Sequence, residues 1–90
     1  MNYYEKMSRM VRKLSHDQAL ELRSKLNDAC IAYELGLEWR PIFQLMKNKY
    51  QVGTIHKLYS SLYSATPAQM NKVSLAMATP NFGDNDAKAP

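Results

Sequence analysis

Carboxylates are missing from the middle of this chain. None occurs between Glu38 and Asp84, while the same stretch carries Arg40, Lys47, Lys49, Lys57, Lys72 and His56. That half of the chain therefore has no paired carboxylates for acid–base chemistry. Cysteine is nearly absent too. Cys30 stands alone, so no internal disulfide can form, and a reducing, cytoplasmic setting is expected. Its spacing places it on an apolar helix face, as a core residue rather than a nucleophile. The three glycines, at 36, 53 and 83, cannot build a Gly-rich phosphate loop. No apolar run approaches the ~20 residues that cross a bilayer, and the opening residues lack the apolar core of a signal peptide. No membrane association is expected. His16, Cys30 and His56 do not fall at metal-ligand spacing, so neither metal nor cofactor is expected. With no catalytic residue in sight, the chain is expected not to be an enzyme and to act by binding.

What is present is segregated charge. The 90 residues hold 12 Lys and Arg against 8 Asp and Glu, a formal net charge of +4. Residues 1–13 are basic, with Lys6, Arg9, Arg12 and Lys13 against Glu5, and the acids Asp17, Glu21, Asp28, Glu34 and Glu38 follow as a block. A fold that brings the two basic segments together presents one positive surface, which suits a polyanionic or acidic partner. The bland alternative is a solvated basic face with no ligand.

Apolar periodicity is helical almost throughout. Tyr3, Met7, Met10 and Leu14 step by three and four residues and predict a first helix. Ser15 and Gln18 then read as a capping box opening a second helix to about Leu35. Ala19, Leu22, Leu26, Ala29 and Tyr33 form its buried stripe, which Leu20 and Ile31 are expected to widen. Gly36 suits a left-handed helix end. Pro41 fits the first turn of a third helix, Tyr50–Gly53 a turn, and Thr54 the start of a fourth helix carrying Ile55, Leu58, Tyr59, Leu62 and Tyr63. Thr66, Pro67 and Gln69 repeat the start signal for a short fifth helix with Met70, Val73 and Met77. The expected fold is all-α: a compact bundle of four to five short helices over residues 1–79, with a disordered tail over 80–90, where Phe82 is the one large apolar residue. A small core and six methionines and six tyrosines are compatible with self-association into a homodimer.

Residues 42–63 are the sharpest functional feature. Two short helices about a tight turn match a helix-turn-helix layout, in which the second helix lies in the major groove. Thr54, His56 and Lys57 are then suited to read bases, and Lys47 and Lys49, with Arg9, Arg12 and Lys13, to hold phosphates. The match is incomplete: its small buried position falls on Leu45, two apolar positions on Gln44 and Asn48, and the turn glycine on Lys49. An ordinary helical hairpin explains the pattern equally. The leading expectation is a small nucleic-acid-binding regulator, probing DNA through this basic surface. The other is a protein–protein modulator that occludes a larger bacterial or viral enzyme through an acidic patch on that target, using Trp39, Arg40, Phe43, Tyr59 and Tyr63. Exposed aromatics such as Tyr59 and Tyr63 could also stack on unpaired bases, although this spacing is commoner in cores and interfaces.

Short segments bear on the second expectation. Arg12-Lys13-Leu14-Ser15 followed by Asp17, then Tyr33-Glu34-Leu35-Gly36-Leu37 and Ile42-Phe43-Gln44-Leu45, resemble the helical-hairpin inhibitors of sporulation histidine kinases. The resemblance covers about half of the chain and needs an insertion of about one helical turn in the first helix. Arg40-Pro41 departs from that family's second-helix start, and this chain is much longer. The resemblance implies an inhibitor that binds a protein.

Overall fold

Three capping boxes set where helices begin. In the computed structural model, which describes residues 2–77, Asn2 accepts from the Glu5 amide at 2.8 Å, Ser15 from Gln18 at 3.1 Å and Thr66 from Gln69 at 3.1 Å. The box at Asn2 is a start signal beyond the two expected. Each opens a helix whose first amides would otherwise lack partners. The helices are α1 (Tyr3–Arg12), α2 (His16–Glu34), α3 (Arg40–Lys49), α4 (Gly53–Tyr63) and α5 (Pro67–Met77). No strand occurs among the described residues, and the fold is all-α. The domain boundary at 79 and the tail expected from residue 80 lie outside the described residues.

Gly36 ends α2 as expected. Its φ of 74° lets its amide reach Tyr33 O at 3.0 Å while the Leu37 amide reaches Ala32 O at 2.8 Å. These two bonds form a Schellman motif, which satisfies carbonyls in the last turn. The second turn is tighter. Tyr50–Val52 separate α3 from α4, and Gly53, at φ 89°, opens α4 one residue before the expected Thr54.

Two antiparallel pairs make the domain. In the α3–α4 hairpin, Arg40 at the start of α3 donates to Ala65 O just past α4, at 3.3 Å, while Tyr50–Val52 join the opposite ends. In the other pair, the Cys30 thiol on α2 donates to Asn71 Oδ1 on α5 at 3.0 Å, and Ser24 and Asn27 lie beside Ser74. Ascending numbers on one helix thus meet descending numbers on the other. α1 packs across α4 and α5, and α2 also touches α3.

One core lies between them. Met7 and Val11 of α1, Leu22, Leu26 and Ala29 of α2, Phe43 and Met46 of α3, Ile55, Leu58, Tyr59 and Leu62 of α4, and Met70, Val73 and Met77 of α5 are all buried. Ala19 and Cys30 are half-buried. The α2 stripe needs three corrections. Leu20 and Ile31 are 47% and 48% exposed rather than widening the stripe. At about 100° per residue each points nearly opposite to Leu22. Tyr33 lies on the stripe but is 45% exposed, because it falls in the last turn before the chain leaves at Gly36.

Candidate functional site

The α3–α4 hairpin holds the greater part of the residues picked out from the sequence, and its packing sorts them into three groups. The first is buried. Trp39, Phe43 and Tyr59 were expected on a partner-binding surface, yet their exposures are 3%, 0% and 0%. Trp39 meets Phe43 edge-to-face at 5.8 Å between ring centroids, and Phe43 lies 6.2 Å from Tyr59. Tyr59 also stacks on Tyr50 at 6.3 Å. These rings form an aromatic spine between α3 and α4, held by burial and by edge-to-face geometry. They are unavailable to a partner or to unpaired bases. The periodicity that marked Tyr59 as aromatic and regularly spaced could not separate core from surface.

The second group has intramolecular partners. Lys49 Nζ donates to Glu21 at 2.6 Å, and the Tyr50 hydroxyl donates to the other oxygen of that carboxylate at 2.7 Å. Burial alone would push the Glu21 carboxyl up. The hydrogen bonds from Lys49 and Tyr50, with the charges of Lys49 and Lys25, outweigh it and hold its pKa below the ordinary value. The hydrogen bond to Glu21 raises the pKa of Lys49 and, together with burial, that of Tyr50. His56 Nδ1 lies 2.7 Å from Tyr50 O. A carbonyl oxygen only accepts, so Nδ1 carries a proton and the ring ties down the turn. Ser60 Oγ lies 3.5 Å from Nε2. Arg40, half-buried, lies 4.5 Å over the Trp39 ring as well as donating to Ala65.

The third group remains accessible. Arg9, Arg12, Lys13 and Lys57 are exposed and have no ion-pair partner among the described residues. Thr54 is half-exposed. Lys47 spans the hairpin, with Nζ 4.9 Å from the Tyr63 ring centroid. Across α4, only Gly53 and Lys57 are exposed. The helix that would enter a major groove is thus the most enclosed part of its hairpin.

A different feature emerges where the hairpin opens. Glu38, Arg40, Pro41, Gln44, Leu45 and Tyr63 line a groove of about 370 Å³. Leu45 is 67% exposed there, on the side of α3 opposite Phe43. It is the residue whose bulk broke the helix-turn-helix register, and that bulk is the sequence signal for this surface. Among the described residues, no cluster of three or more His, Cys, Asp or Glu could hold a metal ion, and no helix is long and apolar enough to cross a membrane.

No protein-family model, no curated protein and no solved structure matches the chain. The likeness to histidine-kinase inhibitors stays one of short segments.

Proposed function

We propose that this chain is a small non-catalytic regulator that docks onto a larger protein through the open end of the α3–α4 hairpin and occludes it. The supporting observation is Leu45, a large apolar side chain left in water beside Pro41 and half-buried Tyr63, within a concave surface. Concave apolar surface with a polar rim is the form that protein anchors fill. This reading shifts the docking surface from the expected set of Trp39, Arg40, Phe43, Tyr59 and Tyr63, three of which are buried, to the opposite face of α3. Arg40 and Tyr63 are retained from the expected partner-binding residues, and the Trp39 ring lies under Arg40. The deciding experiment places benzoylphenylalanine at position 45 or at exposed Asp28 on α2, and irradiates cells expressing each form. A discrete protein adduct from 45 and not from 28 supports docking at this surface; equal labelling from both removes it.

A second reading is binding to a nucleic-acid backbone. The observation favouring it is the exposed set of Arg9, Arg12, Lys13 and Lys57, which have no ion-pair partner among the described residues. Such cations release condensed counterions when they meet phosphates. Duplex DNA and single strands tested over a salt series separate this reading from the first.

A further inference from the structure

The groove beside Leu45 carries a charge pattern as well as a shape, and what it implies rests on the docking reading above. We propose that its occupant is an acidic segment of a partner protein. That segment places one bulky apolar side chain between Pro41, Leu45 and Tyr63, and sets its carboxylates against Lys47 and Arg40.

Three observations carry this. The first is charge. Neither α3 nor α4 contains a carboxylate, and Glu38 is the one acid lining the groove. The second is availability. Lys49, on the same helix, is already paired with Glu21, whereas Lys47 and Arg40 have no carboxylate partner among the described residues. Arg40 gives Nη2 to Ala65 O, which leaves further guanidinium donors. The third is placement. Ring faces hold both cations, Lys47 at 4.9 Å from Tyr63 and Arg40 at 4.5 Å from Trp39. A cation already positioned over an aromatic face loses less side-chain freedom on meeting a carboxylate. The apolar floor supplies burial, and the cations set which sequence can follow it. Two copies meeting hairpin to hairpin would bring like charges together, since neither α3 nor α4 contains a carboxylate.

The test uses the full chain labelled with nitrogen-15 and short synthetic peptides. One probe is acetyl-Asp-Glu-Phe-Asp-Glu-amide. The second replaces its Phe with Ala, and the third replaces its acids with Asn and Gln. The first probe is expected to shift the amides of Gln44, Leu45 and Tyr63 saturably, and the other two to bind at least about tenfold more weakly. Leu45→Glu and Lys47→Gln should each weaken the first probe by a similar factor, with helical circular dichroism unchanged because Leu45 is exposed and Lys47 is not in the core cluster. Equal binding of the uncharged peptide overturns the acidic partner and leaves docking at this groove standing. Shifts confined to Arg9, Arg12 and Lys13, displacement of the peptide by an oligothymidine, or no saturable shift at millimolar peptide also overturn it. The adduct from position 45 then decides separately whether the groove docks a protein at all.

Discussion

Lys49 and Glu21 meet at 2.6 Å across 28 residues of sequence, tying the end of α3 to the first half of α2. The bond removes Lys49 from the set of free cations and places a carboxylate under the α3–α4 turn. Tyr50 completes the brace from the other side of the same carboxylate.

The brace makes stability depend on pH in a defined direction. Glu21 has a depressed pKa in the folded chain, so its contribution is present above its unfolded value of about 4.3 and is lost as pH falls through the folded value. Lys49 has a raised pKa, so its contribution is full below about 10.4 and is lost as pH rises through the folded value. Glu21→Gln should therefore lower the urea midpoint at neutral pH. Its gap from the unaltered chain should close as pH falls below about 4. A gap that persists unchanged at pH 2 would mean the carboxylate charge is not what matters.

Two buried tyrosine hydroxyls predict an alkaline limit. Burial pushes the Tyr3 hydroxyl up to about 12 and the Tyr59 hydroxyl higher still. Both raised values lie above the unfolded value of about 10, so stability is full below that pH and falls as pH rises beyond it. Neither hydroxyl has a hydrogen-bond partner among the described residues. Tyr59→Phe should then flatten the alkaline decline and raise neutral-pH stability, by up to the roughly 1–3 kcal/mol that an unsatisfied buried polar group costs. A loss of stability on this substitution would show that the hydroxyl is paired.

The α2 stripe separates by face. Leu26 is 1% exposed and sits within the core, so Leu26→Ala should cost about 2–5 kcal/mol in chemical denaturation. Leu20→Ser and Ile31→Ser, on the opposite face, should stay within about 0.5 kcal/mol. Equal costs for all three would mean that α2 is rotated from the orientation described.

Gly36 should resist replacement for a conformational reason alone. A β-carbon built there meets nothing within 4 Å, but the backbone sits at φ 74°. Gly36→Ala is expected to lose roughly 1–2 kcal/mol, the cost of the left-handed region for an L-residue. Gly36→Asn should lose less, since asparagine tolerates this region better.

Salt dependence tests the nucleic-acid reading residue by residue. If that reading holds, Lys57→Ala and Arg12→Ala should each flatten the log–log slope for duplex DNA by about 0.9 for every phosphate that is no longer neutralised. Lys49→Ala should leave it unchanged, because Glu21 already neutralises that ammonium. Anisotropy with labelled duplex measures both, and absence of binding at low salt rejects the reading.

Much of this was legible from residue order. The two expected capping boxes, the left-handed Gly36 and the apolar spacing of α4 and α5 appear as anticipated, whereas in α1 Met7 is buried with Val11 and Ser8 while Tyr3, Met10 and Leu14 are only partly buried. Each depends on groups within about one helical turn of one another, so local chemistry suffices. Exposure was less legible. Trp39, Phe43 and Tyr59 share spacing with surface aromatics, and only the packing of α3 on α4 places them inside. Leu45 broke a motif in the sequence, and in the structure it is the exposed apolar residue beside the groove.

By itself, then, the order of residues determined an all-α chain with the starts of α2 and α5, the glycine-terminated end of α2 and an acid-free stretch over 39–83. The helical properties among these follow from backbone capping, rotamer and periodicity rules that act over a few residues. Tertiary structure decided which cations stay free. Lys49 was withdrawn by Glu21 and His56 was drawn to Tyr50 O, while Lys47 was left over the Tyr63 ring. No local rule could assign the fates of the two lysines, because each depends on a partner brought close, or kept away, by helix packing.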